Sequence, residues 1–127
     1  MVKHVLMVED EKMLSDSYCI VLRAAGFKVD LATNGLEALE LCKKHAYDII
    51  LLDIMMPVLD GIGFLKRFSR LSLSRKPRIV ILSNLSVGNE IEQALKLGAH
   101  KYIQKSELEP SKLVTTLWSE LAIKTTI

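Results

Sequence analysis

Short apolar runs alternate along this chain with segments in which apolar residues recur at the spacing of a helix. Two of the runs, residues 49–52 and 79–82, contain only Ile, Leu and Val. Such uninterrupted runs are typical of central strands in a parallel sheet that helices cover on both faces. The pattern predicts five strands, which span residues 3–8, 28–32, 48–52, 78–82 and 101–103.

The segments between the predicted strands carry apolar residues every three or four positions, which predicts amphipathic helices. In the first segment Leu14, Tyr18 and Leu22 form the apolar stripe. If this stripe faces the core, Cys19 and Ile20 face water. Four further stripes follow, so the chain is predicted to contain five helices.

The alternation of strands and helices predicts an α/β fold, because parallel strands need crossover connections. We expect a doubly wound, five-stranded parallel sheet with the strand order 2-1-3-4-5, in which right-handed crossovers place helices on both faces. Gly98 is expected to cap the fourth helix, and Pro110 to begin the fifth. Since no linker, repeat or low-complexity tract interrupts the pattern, residues 1–127 are interpreted as a single domain.

Composition excludes several classes of protein. The 127 residues include 17 Lys and Arg against 15 Asp and Glu, a formal charge of +2. The basic residues are scattered except at 75–78, which is interpreted as a solvated loop, so no nucleic-acid interface is predicted. No apolar run approaches the roughly 18 residues of a membrane span, so no membrane insertion is expected. Cys19 and Cys42 fit no metal or redox spacing, which favours reduced thiols and a cytoplasmic location.

Polar residues follow four of the five predicted strands. Asp53 ends an unbroken apolar run, and burying its charge inside the strand would carry a large desolvation cost, so it must emerge at the carboxyl edge of the sheet. Glu9 and Asp10 follow the first strand, Ser83 ends the fourth, and Lys105 lies just beyond the fifth. With the order 2-1-3-4-5 these strands are neighbours, and their polar residues share one crevice.

Three carboxylates in one crevice raise one another's pKa unless a cation compensates them. Mg²⁺ is suited to this role, because it prefers oxygen ligands and often combines one or two carboxylates with phosphate oxygens. The set therefore favours phosphoryl transfer with Asp53 as the nucleophile, Lys105 pairing with a phosphoryl oxygen and the Ser83 hydroxyl donating to another. Taken singly, the same residues would be interpreted as a helix cap, a surface charge and a turn residue.

Residues 47–61, with Asp53 near their centre, resemble the phosphoacceptor segment in the receiver domains of bacterial two-component response regulators. Residues 8–10, 34–39 and 98–102 match that family as well, so the resemblance covers nearly the whole chain. It implies the flavodoxin-like fold, similar to that of single-domain chemotaxis receivers. It also implies a phosphoacceptor switch that catalyses only its own phosphorylation and dephosphorylation.

The resemblance implies a metal site around Asp53. Asp10 would bind Mg²⁺ directly and Glu9 through water, with the backbone carbonyl of Met55 completing the ligand set. Gly61 matches the turn that follows this segment, where glycine permits a positive φ.

The resemblance also assigns roles around the transferred group. Asp53 would accept the phosphoryl group, and Ser83 and Lys105 would bind its oxygens. Tyr102 would be the aromatic residue of the switch, turning inward once Ser83 is drawn towards the phosphate. The alternative for Tyr102 is simple packing at the edge of the sheet.

The sequence differs from the family pattern at three places, and each difference leads to an expectation. Ser106 follows Lys105 where members usually have Pro with a cis peptide bond. Because a cis bond before a non-proline residue costs about 2.5–4 kcal/mol, we expect either a trans bond with a differently placed loop or a strained cis bond. Asn84 replaces a small residue, and its amide could either narrow access to the phosphate or help to position water, so the sequence does not specify the lifetime of the phosphorylated state. His100 and Lys101 replace an acidic pair, which weakens the case for the dimer of one class of DNA-binding regulators.

The expected partners are a histidine kinase or phosphotransfer protein and an output protein that the sequence does not identify. Ile20, Met13 and the loop at 106–108 are candidate contacts. A phosphorelay intermediate and a fragment of a longer regulator remain alternatives. A phosphohydrolase is less favoured, because Met55 stands where such enzymes commonly carry a second Asp, and an interaction module independent of phosphorylation is disfavoured because all the acids and the Lys are present.

Overall fold

The computed structural model describes residues 2–84 and 89–124. Each predicted strand is confirmed to within one residue at both ends. The strands are β1 (His4–Val8), β2 (Lys28–Ala32), β3 (Ile49–Leu52), β4 (Arg78–Ser83) and β5 (Lys101–Gln104). They form a five-stranded parallel sheet in the order β2-β1-β3-β4-β5, as predicted.

Five helices cover the sheet, and a 3₁₀ turn at Lys105–Glu107 follows β5. α1 and α5 pack on one face, whereas α2, α3 and α4 pack on the other. The helices are α1 (Lys12–Ala24), α2 (Gly35–Lys44), α3 (Gly61–Phe68), α4 (Asn89–Lys96) and α5 (Pro110–Lys124).

The central strand β3 shows why its apolar run is uninterrupted. Ile50 and Leu52 pack against the helices of one face, while Ile49 and Leu51 pack against those of the other, and all four are fully buried. Because successive side chains point to opposite faces, a strand covered on both sides has no position for a polar residue. Asp53 is the first residue beyond the run, at the carboxyl edge of the sheet.

The predicted helix boundaries at Gly98 and Pro110 are confirmed. Gly98 has a φ of +115°, and the N–H of Ala99 donates to the carbonyl of Ala94 across the turn at 3.0 Å. This closing bond satisfies a carbonyl group that the helix end would otherwise leave without a donor. Pro110 is the first residue of α5, where its missing N–H has no intrahelical partner to lose.

The prediction for α1 is right for Ile20 and wrong for Cys19. Ile20 is 68% exposed, but Cys19 is only 3% exposed. The reason is that α1 contacts both the sheet and α5, so a second row of positions is buried beside the predicted stripe. Ser15 and Cys19, four residues apart, lie on this row, next to Tyr18 and Leu22 of the predicted stripe.

The basic stretch at 75–78 is more ordered than a solvated loop. Arg75 lies 3.4 Å from Asp48, and Arg78 begins β4 with its Nε 3.3 Å from Oε1 of the buried Glu120. Arg78 is therefore bound within the fold, whereas Arg75 forms a half-exposed ion pair. In the part of the chain that the structure describes, the helices are all too short or too polar to span a bilayer.

Candidate functional site

The sheet register places two acidic residues side by side at the carboxyl edge. The N–H of Asp53 donates to the carbonyl of Val8 at 3.1 Å, and the N–H of Glu9 donates to the carbonyl of Ala32 at 3.0 Å. Each bond continues the parallel ladder one residue past the end of a strand, so the backbones of both residues are fixed. Their side chains are buried, with 2% exposure for Glu9 and 6% for Asp53.

Glu9, Asp10 and Asp53 form a cluster of carboxylates. Each residue offers one carboxylate oxygen, and these oxygens lie within 4.8 Å of one another. Asp10 is exposed, so the cluster opens to solvent on its side. An all-oxygen donor set with one open side fits a hard divalent cation such as Mg²⁺, which retains several waters when bound. The predicted meeting of three carboxylates in one crevice is confirmed.

Lys105 reaches into this cluster from the 3₁₀ turn after β5. Its Nζ lies 2.5 Å from Oε1 of Glu9 and 3.1 Å from Oδ2 of Asp53. Burial raises the pKa of Glu9 and Asp53, although the nearby ammonium opposes that shift. Burial by itself would lower the pKa of Lys105, but its bonds to the two carboxylates raise it instead.

The peptide bond between Lys105 and Ser106 is trans, since no cis bond occurs among residues 2–84 and 89–124. The chain turns at this point through the 3₁₀ turn, in which the N–H of Leu108 donates to the carbonyl of Lys105 at 3.1 Å. Of the two outcomes expected for the missing proline, the structure has the trans bond. Lys105 nevertheless contacts Asp53 directly, so a cis bond is not needed to place it.

Backbone amides also contact the carboxylates. The N–H of Met55 donates to Oδ1 of Asp53 at 3.4 Å, and the N–H of Glu11 donates to Oε2 of Glu9 at 3.1 Å. The family resemblance implied a role for the carbonyl of Met55, but neither amide was predicted. Residue type carries no signal for such contacts, because every non-proline residue supplies an N–H.

The prediction that Gly61 adopts a positive φ is wrong. Gly61 is the first residue of α3, and its N–H donates to the carbonyl of Ile54 at 2.8 Å. Glycine is needed there because a Cβ would lie 2.5 Å from the carbonyl oxygen of Asp53. The positive φ of this loop belongs to Val58, at 69°. The loop after β3 is therefore held tightly against the backbone of Asp53.

Ser83 and Tyr102 lie on neighbouring strands. Ser83 is the last residue of β4 and is 1% exposed, and Asn84 follows it on the surface. Tyr102 pairs in register with Ile81, two residues before Ser83. Side chains two apart on a strand point to the same face, so Ser83 and Tyr102 share the face that α3 and α4 cover.

Comparison with known proteins points to one family. The sequence matches the response regulator receiver domain over residues 5–117. The transcriptional regulatory protein DltR of Streptococcus agalactiae is 38% identical over 79% of this chain and 44% of its own length. The structure is similar to that of the chemotaxis response regulator CheY4 of Vibrio cholerae, with a TM-score of 0.86, 28% identity and coverage of 94% of this chain and 99% of that chain.

A further similar structure is the receiver domain of a sensor histidine kinase from Pseudomonas aeruginosa. Its TM-score is 0.85 at 25% identity, with 96% of this chain and 99% of that chain covered. That structure has a magnesium ion coordinated in its active-site cleft. This chain spans about half, or less, of the length of the curated relatives that it matches.

Proposed function

The chain belongs to the family of response regulator receiver domains, and on this premise we propose that Asp53 is its phosphoacceptor. The observation that carries the proposal is the position of Asp53, whose carboxylate meets Lys105 at 3.1 Å and shares a cluster with Glu9 and Asp10. A nucleophilic carboxylate beside a fixed ammonium and a cation site has the groups that phosphoryl transfer requires.

The cation of this site is proposed to be Mg²⁺, held by Glu9, Asp10, Asp53 and the backbone carbonyl of Met55. When bound, Mg²⁺ neutralises charge that develops on the phosphoryl oxygens. Glu9 is positioned for this role by its burial and by the amide of Glu11. The magnesium ion in the related receiver from Pseudomonas aeruginosa supports the choice of metal.

In the proposed reaction a carboxylate oxygen of Asp53 attacks the phosphorus of the donor. A new O–P bond forms while the bond to the donor's leaving group breaks, and the leaving group keeps the electron pair. The ammonium of Lys105 pairs with one phosphoryl oxygen and offsets its negative charge, and the hydroxyl of Ser83 donates a hydrogen bond to another. Attack by water on the phosphoryl group later releases inorganic phosphate and restores Asp53. The protein is thus proposed to catalyse only its own phosphorylation and dephosphorylation.

Phosphorylation is proposed to change the surface around β4 and β5. Ser83 would move towards the phosphoryl oxygens, and Tyr102 would turn inward on the same face of the sheet. The shared face of these two residues supports this coupling. An output protein would then bind the phosphorylated and unphosphorylated states with different affinities, because it makes different contacts with this surface in each state.

A histidine kinase or phosphotransfer protein is the proposed donor, in a cytoplasmic setting, and residues 1–127 are proposed to act as one receiver domain. An onward transfer of the phosphoryl group to a phosphotransfer histidine is the second candidate function. The proteins that are similar to this chain include a transcriptional regulatory protein and the receiver domain of a sensor histidine kinase, which supports considering both candidates.

The proposal is tested by incubating the protein with acetyl phosphate, with and without Mg²⁺, and measuring the intact mass. Wild type is expected to gain one phosphoryl group only with Mg²⁺, whereas Asp53→Asn is expected to gain none. Asp16→Asn is the matched control, since Asp16 lies on α1 and pairs with the exposed Lys12. Steady turnover of p-nitrophenyl phosphate would instead favour the phosphohydrolase.

A further inference from the structure

Tyr18 on α1 carries a buried hydroxyl that has no hydrogen-bond partner among residues 2–84 and 89–124. The residue is only 2% exposed. Tyr47 is buried to the same degree and shows the usual arrangement, because its hydroxyl donates to Oδ2 of Asp30 at 2.7 Å. Since a buried hydroxyl without a partner is costly, we expect the hydroxyl of Tyr18 to gain a partner in another state of the protein.

The alternation of side chains along the strands brings the acidic crevice to the same face of the sheet as Tyr18. Glu9, Asp53 and Lys105 each stand two positions after a strand residue that packs in one cluster with α1 and α5. Those strand residues are Met7, Leu51 and Ile103. Because side chains two apart on a strand share a face, the two carboxylates and the ammonium lie on the face that α1 covers. Tyr18 belongs to the same cluster.

The direction of α1 places Tyr18 below the crevice. The helix begins directly after Glu11, so its N-terminus lies at the edge of the sheet that carries Asp53. Side chains of a helix tilt towards its N-terminus, which here is towards the crevice. The electrostatics agree: burial raises the pKa of Tyr18, while the Lys105 ammonium lowers it and the Glu9 carboxylate raises it. Both charged groups therefore act on this phenol.

Glu9 is the group in the crevice that would need a new donor during phosphorylation. Its Oε2 accepts from the N–H of Glu11 at 3.1 Å, and its Oε1 contacts Nζ of Lys105. In the proposed reaction Lys105 pairs with a phosphoryl oxygen, so Oε1 loses this donor. Glu9 is 2% exposed, and a buried carboxylate oxygen that loses its donor carries a desolvation cost.

We propose that Tyr18 is a positioning residue for the phosphorylation of Asp53, and that its hydroxyl donates to Oε1 of Glu9 when Lys105 turns to the phosphoryl group. The exchange gives a partner both to the hydroxyl and to the oxygen that Lys105 leaves. It forms and breaks hydrogen bonds only. The inference rests on the proposed function of Asp53. It predicts that the hydroxyl of Tyr18 favours phosphoryl transfer but does not stabilise the unphosphorylated protein.

Tyr18→Phe and Tyr47→Phe form a matched pair, because each removes one buried hydroxyl. Tyr18→Phe is expected to slow phosphorylation by acetyl phosphate and Mg²⁺ by about tenfold, the effect of losing a hydrogen bond to a charged group. Its urea midpoint is expected to equal or exceed that of wild type, since the hydroxyl has no partner to lose. Tyr47→Phe is expected to show the reverse, with a lower urea midpoint and an unchanged rate of phosphorylation.

The new hydrogen bond is observed directly by NMR of protein labelled with ¹³C at Cζ of tyrosine. Phosphorylation is expected to shift the Cζ resonance of Tyr18 and to leave that of Tyr47 unchanged. The proposal is overturned if Tyr18→Phe is phosphorylated as fast as wild type, if its slower phosphorylation comes with a lower urea midpoint, or if the Cζ resonance of Tyr18 does not shift. A wild type that gains no phosphoryl group would overturn the proposed function itself, and this inference with it.

Discussion

Lys105 and Asp53 are 52 positions apart in the sequence, yet Nζ of the lysine lies 3.1 Å from Oδ2 of the aspartate. The same ammonium is 2.5 Å from Glu9, so one buried cation joins two buried carboxylates that follow two other strands. In the metal-free protein, the ammonium of Lys105 offsets part of the negative charge of this acidic crevice. Any cation that enters the cluster therefore acts on the same two carboxylates that Lys105 contacts.

Removing this ammonium is expected to destabilise the metal-free protein. Lys105→Gln leaves Glu9 and Asp53 buried beside each other without a counter-charge, and breaking a buried pair in this way costs about 3 kcal/mol. Urea unfolding at neutral pH measures the change. Saturating Mg²⁺ is expected to recover part of the loss, because the metal replaces the missing charge.

Lys101→Gln is the control for that variant, because Lys101 is exposed at the start of β5, whereas Lys105 follows the end of that strand. It is expected to change the free energy of unfolding by less than about 0.5 kcal/mol. Equal stability of the two variants without metal would contradict the role given to Lys105.

Mg²⁺ binding is expected to depend on pH. Burial raises the pKa of Glu9 and Asp53, so both carboxylates take up protons at a higher pH than exposed acids do. Mg²⁺ binds the ionised form, so its affinity falls as the pH falls through the raised pKa values, and binding releases protons. Calorimetry in buffers of different ionisation enthalpy measures this release as the pH is lowered from neutrality. An affinity for Mg²⁺ that does not fall before exposed carboxylates become protonated would contradict this expectation.

Gly61→Ala is expected to disturb the site through the backbone of Asp53. The added Cβ would lie 2.5 Å from the carbonyl oxygen of Asp53 and 2.8 Å from Cα of Ile54, so the backbone must shift. We expect a loss of about 2 kcal/mol in unfolding free energy and slower phosphorylation by acetyl phosphate.

Gly26→Ala separates this clash from the ordinary cost of replacing a glycine. Gly26 has a φ of +97° and no atom within 4 Å of its missing Cβ, so only backbone strain opposes the substitution. It is expected to cost about 1 kcal/mol and to leave the phosphorylation rate unchanged. Slowed phosphorylation in Gly26→Ala, or unchanged phosphorylation in Gly61→Ala, would contradict the clash at Asp53.

Val58 holds backbone strain in the loop between β3 and α3. Its φ is 69°, and the N–H of Leu59 donates to the carbonyl of Pro57 at 2.8 Å, which makes a tight three-residue turn around a branched side chain. Val58→Gly is expected to be more stable than Val58→Ala by about 1 kcal/mol, because only glycine relieves the strain. Thermal unfolding of the two variants measures the difference, and a more stable alanine variant would refute it.

Much of the fold could be predicted from the sequence, because each strand or helix has its own local pattern of apolar residues and the order of these patterns along the chain specifies the topology. The apolar runs of β3 and β4 define the centre of the sheet, and the alternation with helical stripes defines the order of elements. The position of Asp53 at the carboxyl edge of the sheet could be predicted, because a charged side chain is too costly to bury inside an apolar strand. The same reasoning brought Glu9, Asp10 and Lys105 to one edge, and the structure places them together.

What the sequence could not provide depends on contacts between elements. Cys19 is buried because α5 packs beside α1, and a periodicity within α1 alone does not show that neighbour. Gly61 is required by the close approach of the Asp53 carbonyl rather than by its own φ, and only coordinates distinguish these causes. The trans bond after Lys105 was one of two expected outcomes, and the geometry of the 3₁₀ turn decides between them.

The position of the phosphoryl group in the sequence shows whether Asp53 is the phosphoacceptor. Borohydride reduces an aspartyl phosphate to homoserine, which tandem mass spectrometry assigns to a position in the sequence. After treatment with acetyl phosphate and Mg²⁺, followed by borohydride, we expect homoserine at position 53 and at no other aspartate. Homoserine at another aspartate, or its absence from a protein that has gained phosphoryl mass, would contradict the assignment of Asp53 as the phosphoacceptor.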